Sequence, residues 1–259
     1  MKNNILWVFI HPIRSGGNTL IEFIKEKVPK EEYLLASVVR YQKNPEEINK
    51  DKIRFLLGHA TYYGMHNLVP GKQPRYFIIV RDPAERVVDY YNAKMEMVDK
   101  KIPFDVWYKN QMKNDLVNFL DLKYKGSEST RVHTPKFFMP VIRRLNYKAF
   151  YFLQTLALKI LKIKKEDERK KLENAKKLLE LCWFVGVLEK SKEDFGFILK
   201  QMRFKNPKWG NDAAVKIKTI EINDKIRQKI YEENKLDVEL YKYALELRKK
   251  KIKEITSKK

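Results

Sequence analysis

A single cysteine, Cys182, leaves this 259-residue chain no partner for an intrachain disulfide and argues against a cysteine-based zinc site. It fits a reducing compartment. Glycine is sparse, with 9 residues, and there is no Gly/Ser or proline-rich linker. No internal repeat is visible, so nothing suggests a solenoid. No run approaches the roughly 18 apolar residues of a spanning helix. Ile5–Ile10 is apolar but short, and His11-Pro12-Ile13-Arg14 follows it without a small-residue cleavage site. It reads as a buried strand and not as a secretory signal, with a cytoplasmic protein as the expectation. Acidic residues are outnumbered, 33 against 55 Lys and Arg, for a net charge of +22. That excess is compatible with a nucleic-acid binder, a membrane-surface protein, an enzyme for anionic ligands, or a general lysine bias.

What is present is a core. The apolar fraction is 44%, with 14 Phe, 14 Tyr and 4 Trp, which rules out disorder for most of the chain. The first 90 residues alternate short apolar runs with helical patterns. Ile5–Ile10, Tyr33–Val39, Ile53–Leu57 and Tyr76–Val80 read as strands. Thr19–Val28 reads as a helix with Leu20, Phe23, Ile24 and Val28 on one face. Asp82 caps a further helix that starts at Pro83 and carries Val87, Val88, Tyr91 and Met95. Such alternation predicts an α/β fold: one domain with a central, mostly parallel sheet flanked by helices. Glu166–Leu181, Lys192–Phe204 and Asp224–Lys250 have helical periodicity, and Trp183–Leu188 is strand-like. The domain is expected over residues 1–247, with a basic tail, 248–259, that frays.

Two places carry chemistry. The strand Ile5–Ile10 runs through Arg14-Ser15-Gly16-Gly17-Asn18-Thr19 into a helix. A strand, a glycine turn and a helix N-terminus gather backbone N–H groups and the positive end of the helix dipole into an anion cradle. Ser15, Asn18 and Thr19 add side-chain donors, and Arg14 adds a fork suited to phosphate or sulfate. An ordinary polar-capped turn is the competing reading. The nucleotide triphosphatase pattern G-x-x-x-x-G-K-[ST] is not met, which disfavours a kinase or ATPase. The second place is Arg81-Asp82-Pro83-Ala84-Glu85-Arg86, at the carboxyl end of a buried strand, where open α/β sheets bind ligands. Arg86 is placed to pair with Asp82 or Asp89 along the helix.

These motifs resemble a known family. The loop resembles the phosphosulfate loop of sulfotransferases that use 3′-phosphoadenosine 5′-phosphosulfate (PAPS), in the carbohydrate branch that reads F-x-H-x-P-K-T-G-G-T-[ST]-L. Phe9, His11, Gly16, Gly17, Thr19 and Leu20 match it. Arg81-Asp82-Pro83-x-x-Arg86, closed by Tyr91, resembles the 3′-phosphate segment R-D-P-x-x-R-x-x-S-x-Y. Leu57-Gly58-His59, Tyr62-Tyr63-Gly64, the strand from Trp183 to Lys190 and Leu236–Tyr241 are similar to segments of the heparan sulfate and uronyl 2-O-sulfotransferases, in the same order.

The resemblance implies the P-loop-kinase-like sulfotransferase fold. It implies PAPS as donor, its bisphosphate product (PAP), no metal, and an acceptor that is a hydroxylated, anionic carbohydrate. It further implies that His59 is the catalytic base. Arg14 stands where the family's lysine assists the leaving phosphate, and it also binds the donor. Ser15, Gly16, Gly17, Asn18, Thr19, Arg81 and Asp89 complete the donor site. Departures are specific. Arginine replaces the loop lysine and cannot donate a proton in its place. The loop proline has moved to Pro12. Asp89 replaces a serine, putting a carboxylate where a 3′-phosphate is expected. Those departures motivate a second reading, a catalytically weak protein on the same fold that binds nucleotide or anionic glycan.

Of the four histidines, His11 is expected to order the loop. His66 is a second candidate base, and His133 is a surface or acceptor-side residue. Phe137–Lys165 mixes aromatic and basic residues without a counterpart in the family. It reads as an acceptor face, a peripheral amphipathic helix on anionic lipid, or a solvated lysine-rich face. Nucleic acid is disfavoured because no recognition motif accompanies the charge.

Overall fold

A computed structural model describes residues 4–36, 49–125, 167–204 and 219–257. The segment Phe137–Lys165, His133 and the end of the strand predicted to Val39 lie outside the described residues. Five strands form one sheet: β1 (Ile5–Ile10), β2 (Tyr33–Leu35), β3 (Phe55–Leu57), β4 (Gln73–Val80) and β5 (Phe184–Val187). Their order is β2-β3-β1-β4-β5 and every pairing is parallel. The α/β expectation therefore holds. The sheet lies between helices α1 (Gly17–Lys27), α2 (Pro83–Glu96), α3 (Phe104–Lys109), α4 (Asp115–Lys125), α5 (Glu168–Leu181), α6 (Ser191–Gln201), α7 (Asp224–Glu233) and α8 (Lys235–Ser257).

The two-residue period of the strands sorts their side chains between the faces. Leu6, Val8 and Ile10 of β1 join Ile78, Val80, Val185 and Val187 on one face, covered by α4, α5 and α8. Trp7 and Phe9 join Phe55, Phe77, Ile79 and Phe184 on the other, covered by α1 and α6. A third cluster binds α2 to α3 and α7 through Val88, Tyr91, Phe104, Tyr108 and Ile230. Because β1 lies at the middle with β3 on one side and β4 on the other, the loops after β1, β3 and β4 all open at the same carboxyl edge. That is where an open α/β sheet leaves a crevice.

Two helical expectations change at the C-terminal end. The periodic stretch Asp224–Lys250 is two helices. Asn234 breaks it at φ −125°, and its buried amide donates to the Tyr108 hydroxyl at 2.7 Å and accepts from the Asn114 N–H at 2.9 Å. The basic end from Arg248 does not fray but stays helical through Ser257. Arg248 anchors it on the buried Asp194, Nε donating to the two carboxylate oxygens at 2.8 and 2.9 Å. The short helices α3 and α4 had no counterpart in the sequence reading.

Candidate active site

The carboxyl edge holds a cleft of about 740 Å³ lined by residues from four strand ends and from 220–222. Arg14, Gly16, Gly17, Asn18, Thr19, His59, Arg81 and Asp89, all expected in the site, line it. Ser15 does not. It is fully buried, and its Oγ has no hydrogen-bond partner.

The loop after β1 is shaped by left-handed backbone. Arg14 has φ 62° and Gly16 has φ 74°. A non-glycine residue in that region is strained by about 1–2 kcal/mol and persists only where its surroundings fix it. Here Arg81 Nη1 donates to the Arg14 carbonyl at 3.3 Å, and Arg14 Nε donates to Asp89 Oδ2 at 2.5 Å. Helix α1 then begins at Gly17 with no side-chain cap, so its first N–H groups remain for a ligand at the cleft. Gly17 is required for a reason other than ligand approach. A Cβ there would sit 2.2 Å from Cδ2 of His11, whose ring lies against it.

Asp89 is the hinge of the charge arrangement. Its Oδ2 also accepts the Arg81 ion pair at 3.0 Å, so one carboxylate holds both cleft arginines. Each guanidinium keeps further N–H donors in its fork. Arg86 does not join them. Instead of pairing with Asp82 or Asp89, its buried guanidinium ion-pairs with Asp115 and with Asp237 at 3.1 Å, tying α2 to α4 and α8. The reason is that Asp82 is already committed. Its Oδ1 accepts from the N–H groups of Ala84 and Glu85, both at 3.0 Å, as the expected cap of α2. Arg227 and the Tyr231 hydroxyl take its remaining valences. Burial pushes the Asp237 carboxyl up, and Arg86 opposes it.

His59 follows β3 through Gly58, which takes φ 117°. Its Nδ1 lies 3.0 Å from the His11 carbonyl oxygen. A carbonyl only accepts, so Nδ1 carries the proton, and in the neutral ring Nε2 is left with its lone pair. Thr61 secures the turn, its hydroxyl 2.6 Å from the Phe9 carbonyl and 2.7 Å from that of Gly58. The His59 ring stacks on His11 at 4.1 Å, His11 on Phe9 at 5.3 Å and Phe9 on Phe77 at 4.7 Å. This column of rings connects the core to the cleft. Burial, and then His59, push the His11 imidazole down to about 3, so it is neutral. His66 is absent from the cleft wall, and its Nδ1 faces the Tyr76 hydroxyl at 2.7 Å.

Three parts of the wall were missed. Asn92 holds segment 219–222 in place: its amide accepts from the Thr219 and Ile220 N–H groups at 3.0 Å and donates to the Ile220 carbonyl at 3.0 Å. It is one helical turn from Asp89, a spacing that could have marked it. Glu189, just after β5, accepts the Asp82 N–H at 2.9 Å and the Tyr241 hydroxyl at 2.9 Å, joining two strand ends. The presence of Ile220, Glu221 and Ile222 has no local sequence signal.

An all-parallel sheet with an uncapped helix N-terminus and paired arginines at its carboxyl edge defines an α/β protein with an anion-binding cleft. The sequence matches the sulfotransferase family over residues 29–244, and the chain belongs to that family, whose members are PAPS-dependent transferases. No curated protein matches it. The family implies PAPS as donor and a sulfate acceptor. The match begins beyond the loop, so the loop's part in the site rests on its own geometry. That geometry fits the donor: two arginines and unclaimed helix N–H groups are a donor set for phosphate and sulfate oxygens.

Proposed function

We propose that the protein transfers a sulfuryl group from PAPS to a hydroxyl of a carbohydrate acceptor, with His59 as the general base. When bound, PAPS supplies the sulfuryl group and the bisphosphate that leaves. Arg14, Arg81 and the N–H groups of Gly17, Asn18 and Thr19 hold the donor's phosphates and stabilise charge as it grows on the bridging oxygen. His59 Nε2 takes the proton of the acceptor hydroxyl as the new O–S bond forms and the S–O bond to the phosphate breaks. Asp89 keeps the two arginines together, and Asn92 holds the 219–222 wall.

The observation that carries this reading is the hydrogen bond from His59 Nδ1 to the His11 carbonyl. It fixes the tautomer a base needs and ties the base to the strand that delivers the loop. A carbohydrate acceptor is supported by the similarity around Gly58-His59 and Trp183–Lys190. It is supported also by Glu221, a cleft carboxylate with no ion pair among the described residues, which suits hydroxyl donors. The excess of Lys and Arg favours an acceptor that is also anionic. The test is transfer of labelled sulfate from PAPS to a panel of sulfated, uronate-containing and neutral glycans. Label on a uronate-containing glycan is the expected result. PAP binding without transfer to any hydroxyl would instead favour a binding protein on this fold.

A further inference from the structure

His11 has no role in the mechanism above beyond its carbonyl, yet its ring is the most confined titratable group at the cleft. The residue is 2% exposed and still lines the cavity. Its Nδ1 is buried without a hydrogen-bond partner. Its Nε2 lies on the side of Gly17, within 2.4 Å of where a Cβ would stand, and it makes no hydrogen bond among the described residues. His59 and Phe9 both stack on the ring.

A proton on Nδ1 would be a buried donor with nothing to accept it. The neutral ring avoids this by carrying its proton on Nε2, leaving only an unpaired acceptor at Nδ1. The protonated nitrogen then lies beside Gly17, where the loop enters its helix, on a ring that lines the cleft and stacks on His59. Building on the sulfuryl-transfer reading, we infer that His11 is a neutral hydrogen-bond donor to the transferring sulfuryl group, through Nε2–H. Neutral imidazole is a known device for polarising an oxygen without adding a fixed charge. Two cations already stand at this cleft, and a third would tie down donor and product alike. A neutral donor aimed at the sulfuryl group adds stabilisation where charge is redistributed and releases a product that lacks that group.

The experiment has three arms. His11→Phe keeps the stack and removes the donor. PAP, which has no sulfuryl group, should then bind within about 3-fold of wild type while kcat falls by about 10²–10³-fold. His11→Gln places an amide N–H near the reach of Nε2 and should recover at least about tenfold of that loss. Parallel loss of kcat, PAP affinity and thermal midpoint, without rescue by Gln, would make His11 structural and overturn the inference. Nitrogen-15 imidazole spectra of wild-type protein at neutral pH give an independent readout that needs no variant and no donor. A neutral ring protonated at Nε2 is expected, and an Nδ1–H tautomer or an imidazolium overturns the inference. Wild type that neither binds PAP nor transfers sulfate would remove the parent reading instead, an outcome the spectra do not share.

Discussion

His59 donates its Nδ1–H to the main-chain carbonyl of His11 across 3.0 Å, joining the end of β3 to the end of β1. In the proposed reaction the bond sets the orientation of the base by a backbone atom of the strand that runs into the loop. Removing the imidazole should therefore affect chemistry more than donor binding. His59→Ala is expected to lower kcat by about 10²–10⁴-fold. PAP affinity by calorimetry should stay within about 2-fold of wild type, since the proposed phosphate contacts are assigned to other groups. An equal fall in both would make His59 structural.

Asp89 holds Arg14 and Arg81 through a single oxygen. In doing so it gathers the two cations, but its own charge repels an incoming phosphate. Across about 6 Å at an effective dielectric near 20, a like-charge pair costs on the order of 2–3 kcal/mol. Asp89→Asn keeps an acceptor for the arginines and removes the charge. It should tighten PAP binding by about tenfold, and Asp89→Ser, the residue of the similar motif, should also tighten it. Weaker binding of PAP by the Asn variant would show that holding the arginines matters more than the repulsion.

The pH dependence of stability has a sign set by His11. Its folded value is about 3, against about 6.5 when unfolded. The stabilising contribution is fully present above pH 6.5 and is lost as pH falls towards 3, because the unfolded chain binds the proton first. Between pH 7 and pH 5 the loss should be about 2 kcal/mol. Asp237, whose carboxyl burial pushes up, works in the opposite direction, so the measurement is a comparison. Denaturant unfolding of wild type should lose more stability over this interval than His11→Phe. Equal losses would contradict the buried, neutral imidazole.

Glycine substitutions separate crowding from backbone strain. Gly17→Ala places a carbon 2.2 Å from the His11 ring, whereas Gly71, at φ 81°, has nothing within 4 Å of a Cβ. Gly71→Ala should cost only the left-handed strain, about 1–2 kcal/mol, and leave turnover intact. Gly17→Ala should cost about 1–3 kcal/mol from overpacking and also lower activity, by displacing the ring stack. Thermal unfolding and turnover of the two variants check the contrast.

Arg86 belongs to the scaffold. Arg86→Met strands the carboxylate of Asp237, which is 1% exposed, and should destabilise the protein by about 3–5 kcal/mol in denaturant unfolding. PAP affinity of the folded fraction should be unchanged. A selective loss of PAP binding would place Arg86 in the site.

Much of this was legible in the chain. The strand bounds of Ile5–Ile10 match because an uninterrupted apolar run suits a strand buried on both faces. The Asp82 cap and Pro83 start are local chemistry and were readable for that reason. Arg86 was misplaced because its partners, Asp115 and Asp237, come from distant helices, and spacing along one helix suggests only near neighbours. The hold of Asp89 on Arg14 is likewise a tertiary contact, 75 residues apart in sequence. The break at Asn234 escaped a periodicity argument because the flanking helices keep their apolar pattern and only a buried amide interrupts them.

The central claim is that the cleft at the carboxyl edge binds the phosphosulfate donor through Arg14, Arg81 and the start of α1. Thermal unfolding with PAP tests it most directly, in wild type and in Arg14→Ala and Arg81→Ala. At 100 times Kd, wild type should gain about 2.7 kcal/mol, raising the midpoint by roughly 5–10 °C. Both variants should lose most of that rise. A midpoint that does not move at millimolar PAP, or that moves equally in all three proteins, would contradict the account.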